Sequence, residues 1–272
     1  MAECWPTREK TMTHSQELID YWKHEEQASF EGWDFSYLAG RMIEETPPWS
    51  YESLAMGFMK EATHLLDMGT GGGERLLSMR NAWPETVVAT EGYPPNVKLA
   101  RKTLNPHGVE VFDVPGEVRA DLPFVNGRFD LIINRQTGYG FFEIARVLRE
   151  NGRFLTQQIE TAWAHDLKLA FGIQPPQKEP ALMRALRYLV QTDLWVERAE
   201  SWTGSLTFTD VGAIVYYLKV IPWIVEEFSV DTHLPDLLAL QEKIDHGEKL
   251  QFCAAKYLIQ ARKPTAKEMN HV

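Results

Sequence analysis

Asp67, Gly69, Gly71 and Glu91 are the residues whose types and spacing could do chemistry. The run Leu65-Leu66-Asp67-Met68-Gly69-Thr70-Gly71-Gly72-Gly73-Glu74 reads as a short apolar strand, a glycine-rich turn and the start of a helix. Glycine at 69 and 71 lets the backbone turn tightly and lets a ligand come close, and the helix N-terminus beyond offers unpaired N–H groups. Gly72 and Gly73 either touch the same ligand or only start that helix. A dinucleotide fingerprint needs a third glycine three residues after the second, where this chain has Glu74. Asp67 puts negative charge beside the turn, which suits a cationic ligand group better than a pyrophosphate. Glu91 stands 22 residues past Gly69, at the end of the next strand. A carboxylate placed there accepts hydrogen bonds from a ribose diol. A ligand with a ribose, a positive charge and no phosphates fits both acids.

These residues need elements to position them. His64–Met68 reads as a strand, Glu74–Asn81 as a helix, Thr86–Thr90 as a β-branched strand and Asn96–Leu104 as a helix. Val109–Phe112 and Phe129–Ile133 follow as strands. Phe141–Arg149 reads as a helix stopped by Asn151-Gly152, and Arg153–Gln157 as a fifth strand. Strands alternating with helices imply βαβ units and a parallel sheet. Later, Trp195–Phe208 and Leu250–Ala261 read as long strands able to pair antiparallel at the sheet's side. Helices are expected over Tyr51–Glu61, Ala181–Gln191, Val211–Leu218 (capped by Thr209 or Asp210) and Leu234–Ile244. The first fifty residues, aromatic and mixed in charge, read as helices and loops packed on the body.

Asp67-Met68-Gly69-Thr70-Gly71-Gly72-Gly73 resembles motif I of the class I S-adenosylmethionine-dependent methyltransferases, and Glu91 resembles their ribose-binding acid. Leu122-Pro123-Phe124 with Arg128-Phe129-Asp130-Leu131-Ile132 is similar to the family's approach to its fourth strand. Glu143 to Phe154 resembles its helix and fifth strand. The resemblance implies an α/β fold: a Rossmann-like seven-stranded, mostly parallel sheet with an antiparallel edge strand and helices on both faces. It implies residues 1–50 as a cap, 51–160 as the cofactor-binding core, and 161–272 as the rest of the sheet with an acceptor-side lid. The implied cofactor is S-adenosyl-L-methionine. Gly69, Thr70 and Gly71 would line its methionine part, with Asp67 near its amino group. Glu91 would bind both ribose hydroxyls, and Gly92 or Tyr93 would border the adenine. Asp113-Val114 or Glu117-Val118 would supply the adenine-binding acid and its neighbour. Asn134 and Arg135 would sit beside the methyl-bearing sulfur.

The acceptor is argued by exclusion. Lys plus Arg total 28 against 38 Asp plus Glu among 272 residues, a net charge of −10 that repels a phosphate backbone and disfavours nucleic acid. The place after the fourth strand reads Asn134-Arg135-Gln136-Thr137, unlike the Asn-Pro-Pro-aromatic motif associated with adenine or glutamine methylation. Neither Cys4 nor Cys253 stands where cytosine methylation would need a nucleophile, and the two cysteines make no zinc site or disulfide framework. No carboxylate cluster suggests a metal. A small-molecule acceptor leads, under a roof formed by residues 1–50 and 160–235. RNA or protein methylation, an inactive cofactor-binding protein and a decayed NAD-dependent oxidoreductase are the alternatives. His24 and His165 are candidate bases, Gln157 and Gln158 candidate acceptor ligands, and no catalytic residue is assigned. The charged N-terminus lacks the apolar stretch of a signal peptide, and no segment is suited to span a membrane. The expected location is the cytoplasm; oligomeric state is left open.

Overall fold

The βαβ reading of residues 60–160 matches the architecture in the computed structural model, which describes residues 8–30, 33–115 and 121–269. Eight strands form one sheet: β1 (Met42–Glu44), β2 (His64–Met68), β3 (Thr86–Glu91), β4 (Glu110–Asp113), β5 (Phe129–Arg135), β6 (Leu148–Ile159), β7 (Trp195–Phe208) and β8 (Leu250–Arg262). Their spatial order is β1-β7-β8-β6-β5-β2-β3-β4. Strands β4, β3, β2, β5 and β6 run parallel; β8 pairs antiparallel with β6, β7 with β8, and β1 with β7. The helices are α1 (Arg8–Glu26), α2 (Tyr51–Met59), α3 (Glu74–Ser78), α4 (Pro94–Leu104), α5 (Phe141–Val147), α6 (His165–Ala170), α7 (Ala181–Leu189), α8 (Val211–Val220), α9 (Leu234–Asp245) and α10 (Ala266–Met269).

The fold class is the expected one, with an eighth strand added to the seven. That strand is β1, whose three residues pair with Leu206–Phe208. Three residues carry too little alternation to read as a strand by themselves. Helix α5 also ends earlier than its pattern suggests, because Leu148 leaves it to pair with Phe129. Chain order reverses across β2, which lies between β3 and β5. Such a switch point opens a crevice beyond the strands' carboxyl ends.

The parallel strands are buried on both faces, so they read as apolar runs: Phe129–Asn134 are buried throughout. Helix α8 is buried over Val211–Leu218, and Asp210 caps it by accepting the Ala213 N–H at 2.8 Å. Helix α1 docks on it through Arg41, which donates to Asp210 and to the buried Glu25. Arg41 thus joins α1 to α8, and Trp33, Phe35, Trp223 and Ile224 from the adjoining segments line the crevice.

Candidate active site

The glycine turn lies between β2 and α3, pinned to β3 by the Gly69 and Thr70 N–H groups, both donating to the Thr90 carbonyl at 2.9 Å. Gly69 has φ +70, and a Cβ there would collide with the Thr137 side chain, so the protein's own packing requires this glycine. Gly71, at φ +64, meets only Trp33 Cδ1 at 3.3 Å. A Cβ at Gly73 would strike Leu104 of α4. Of the three, Gly71 is the least crowded, with Trp33 alone close to its Cβ position.

Glu91 is buried and multiply bonded. Its Oε2 accepts the Gly71 N–H at 2.8 Å, and its Oε1 accepts the N–H groups of Gly92 and Tyr93, each at 2.9 Å. The carboxylate therefore ties the turn after β2 to the end of β3. A carboxylate offers about four lone-pair sites, so three bonds leave about one, on the Oε2 side. Asp67 lies at the root of the same turn. Burial pushes its carboxyl up to about 6, and the Glu91 charge adds to the shift.

A cavity of about 1190 Å³ opens over these residues at the carboxyl ends of the strands. Asp67, Gly69, Thr70, Gly71, Glu91, Gly92, Val114 and Arg135 all line it. Asp113 does not: it is exposed at the end of β4, while its neighbour Val114 is buried. Asn134 is also away from the lining. Its amide donates to the Met68 carbonyl and accepts from Thr156 and Gln158, so it holds strands together. Glu117-Val118 lies outside the described residues. Gln157 accepts the Trp49 indole N–H at 2.8 Å, and Gln158 donates to Asn134 and the Thr137 carbonyl, so both amides are engaged within the fold. His24 is exposed, His165 is half-buried, and neither lines the cavity. No cluster able to hold a metal is found among the described residues.

Three buried polar atoms on this wall have no partner among the described residues: the Tyr51 hydroxyl, Thr70 Oγ1 and Arg135 Nε. An unpaired buried polar group costs about 1–3 kcal/mol, so a wall with three suits a polar ligand. Burial, with the Asp67 charge, raises the Tyr51 phenol well above its usual range and keeps it a donor. Burial lowers the Arg135 guanidinium pKa, and Arg75 adds to the shift. Gln136, directly after Arg135, takes a left-handed φ of 54, a strained conformation at the cavity's edge. These donors complement a ligand carrying both ammonium and carboxylate: Asp67 attracts the first, Arg135 and Tyr51 the second.

Aromatic rings line the cavity from the glycine turn outward, starting with Trp33, 3.3 Å from the Cβ position of Gly71. Trp33 and Trp223 meet edge-on with ring centroids 6.0 Å apart, and Phe35, Trp163 and Tyr217 line the same cavity. Reading the sequence alone overlooked Glu44 and Lys256, which form a close ion pair here. A solitary lysine inside the apolar run Phe252–Ile259 was a signal that could have found one partner. Nothing local marks Glu44.

A family model described as a methyltransferase domain matches residues 65–158. The chain is 24% identical over 202 residues to a demethylmenaquinone methyltransferase from Thermus thermophilus, covering 70% of this chain and 79% of that protein. Among solved structures it is similar to a candidate methyltransferase from Bacillus halodurans at 17% identity and a TM-score of 0.54, covering 79% of this chain and 99% of that one. A functionally unknown protein from Deinococcus radiodurans superposes at a TM-score of 0.56 with 15% identity, covering 94% and 100%. At these identities the two structures speak for the fold.

Proposed function

We propose, for a chain that belongs to the class I S-adenosylmethionine-dependent methyltransferase family, that the methyl group it transfers goes to a small-molecule acceptor. The observation that carries this reading is one continuous cavity of about 1190 Å³ running from the Gly71–Glu91 turn to an aromatic roof. Ligand pockets commonly measure ~300–1,000 Å³, so this volume suits a cofactor and a compact acceptor side by side. The acceptor named for the T. thermophilus relative, demethylmenaquinone, is itself a small molecule.

When bound, S-adenosylmethionine supplies a methyl group on a sulfonium, which is already an activated leaving group. The chain's own work is binding and alignment, and alignment alone can account for a large part of such a rate. Glu91 takes the ribose, with its Oε2 facing the hydroxyls. Asp67 receives the amino group, and Arg135 and Tyr51 receive the carboxylate. Gly69, Thr70 and Gly71 flank the methionine chain, and Gly92 and Val114 border the adenine. Asp113, from its exposed position, would reach adenine only by turning inward. Residues 51–160 thus act as the cofactor core and 161–272 complete the sheet, while Trp33, Phe35, Trp163, Tyr217 and Trp223, from the segments before β1 and after β6, close over the acceptor.

A cytoplasmic enzyme without a nucleic-acid partner fits the net charge of −10. No described helix is long and apolar enough to cross a membrane. The test is calorimetry of the purified chain with S-adenosylhomocysteine and with NADH, then incubation with methyl-labelled cofactor and a cell extract. Binding of the first ligand alone and label in a low-mass product support the reading. Label in RNA or protein refutes the acceptor class, and NADH binding refutes the cofactor.

A further inference from the structure

Lys256 is the only buried lysine or arginine among the described residues, with 4% of its surface exposed. It sits in β8 opposite Ile159 of β6 and Trp202 of β7, away from any chain end. Its ammonium pairs with Glu44 from β1 and lies 5.5 Å from the centre of the Trp163 ring. Lys256 is buried and Glu44 only partly so; burying even one charge costs several kcal/mol, and an apolar side chain of similar volume usually holds a sheet as well. A pair kept at the wall of a ligand cavity is therefore a candidate for recognition. Glu44 lines the cavity, and its Oε2 takes no hydrogen bond from the described residues.

Tyr217, on α8, reaches the same wall. Its hydroxyl oxygen accepts the Trp163 indole N–H at 3.0 Å, which fixes the oxygen and leaves the hydroxyl hydrogen without an acceptor among the described residues. Burial raises this phenol's pKa, and the nearby Glu44 charge adds to it, so Tyr217 remains a donor. Phe35, Ile159, Leu206, Ile221 and Ile224 give this wall apolar faces; of the charged residues lining the same cavity, Asp34 and Glu160 accept backbone N–H groups, and Lys168 lines it as well.

Resting on the methyltransferase reading above, we propose that Glu44 and Tyr217 form the polar pole of the acceptor subsite, and that the acceptor is an apolar ring compound presenting a hydroxyl to them. A hydroxyl satisfies both groups at once, donating to Glu44 Oε2 and accepting from Tyr217. An ether or a carbonyl can only accept and leaves Glu44 facing a lone pair. An ammonium is disfavoured because Lys256 already neutralises Glu44 and Arg135 adds positive charge nearby. A carboxylate, like an ether, has no proton to give Glu44 Oε2 and leaves lone pairs facing each other. The aromatic roof supplies faces for the ring.

The test uses 2-naphthol, 2-methoxynaphthalene and naphthalene as probes, with tryptophan fluorescence as the readout, on the full chain with and without saturating S-adenosylhomocysteine. The wild-type protein is expected to hold 2-naphthol about tenfold or more tighter than the ether, as a site built for a hydroxyl rejects its capped analogue. In Tyr217→Phe and Glu44→Gln that preference falls below about threefold, while naphthalene binds as before. Thermal melts check that both variants fold, and the comparison on the wild-type chain needs no variant. Equal affinity for naphthol and ether, no binding of any probe, or variants that keep the preference overturns the proposal. Failure of S-adenosylhomocysteine to bind overturns the methyltransferase reading instead, and the probes on the free chain still decide the pole.

Discussion

Glu91→Gln separates two roles that one carboxylate performs. Oε2 accepts from Gly71, and Oε1 accepts from Gly92 and Tyr93. A glutamine retains one acceptor oxygen. If it keeps Gly92 and Tyr93, its NH₂ group faces the Gly71 N–H and a donor meets a donor. If it flips, two N–H groups are orphaned instead of one. The first arrangement is the cheaper, and it costs about 1–3 kcal/mol of stability for the stranded Gly71 N–H. The cofactor then loses a charge-assisted acceptor for its ribose, worth about 1.5–3 kcal/mol, or roughly 10- to 100-fold in affinity. Calorimetry with S-adenosylhomocysteine reads the second effect and urea denaturation the first. Asp113→Asn is the control: that side chain is exposed and outside the cavity, so its affinity changes by less than about threefold. A folded Glu91→Gln protein with unchanged affinity would refute the ribose role. Unchanged stability would refute the bond that ties the turn to β3. A loss in Asp113→Asn as large as in Glu91→Gln would move the cofactor toward β4.

Asp67 gives a pH signature. Its carboxyl rises from 3.8 to about 6 on folding, so the folded state holds that proton more tightly and stability falls as pH rises from about 4 to 6. The decline from this group is about 3 kcal/mol, and Asp67→Asn should remove it when denaturation midpoints are compared across that range. Cofactor affinity in the wild type should rise through the same window, because the ammonium needs the ionised acid. Asp130 behaves oppositely: burial works against its charge, but bonds from Thr63 and His64 and the Arg149 partner outweigh it and hold its pKa down. Asp130→Asn should cost about 2–3 kcal/mol in urea denaturation, an effect lost as pH falls below about 4, with S-adenosylhomocysteine affinity intact. Gly71→Val places a β-branched residue at φ +64, with its Cβ 3.3 Å from Trp33. It should abolish calorimetric binding and lower stability by about 1–3 kcal/mol; retained binding would show that the cofactor does not approach this turn.

Much of the sheet was legible because a strand's burial is written locally. His64–Met68 and Trp195–Phe208 occupy the bounds their patterns give, and Phe129–Asn134 is apolar apart from Asp130 and Asn134, two polar residues engaged inside the fold. Local legibility fails where a neighbour decides the conformation. Leu148 continues a helical pattern but joins Phe129 in the sheet, and Met42–Glu44 is a strand only because β7 offers an open edge. The same division runs through the site. Gly71 and Glu91 stand in one βαβ unit, so their spacing carries geometric meaning, and a 2.8 Å hydrogen bond joins them. Asp113 and Val114 are adjacent in the chain yet face opposite ways, one to solvent and one to the cavity, as neighbours along an extended backbone do. The pair most remote from any motif, Glu44 and Lys256, is separated by 212 positions and meets only because β7 and β8 fold back beside β6. The end of this cavity proposed for the cofactor is built within a βαβ unit, where spacing is informative. Its acceptor end is assembled from distant segments whose juxtaposition only the folded sheet reveals, so selectivity can change there through substitutions that leave the glycine turn untouched.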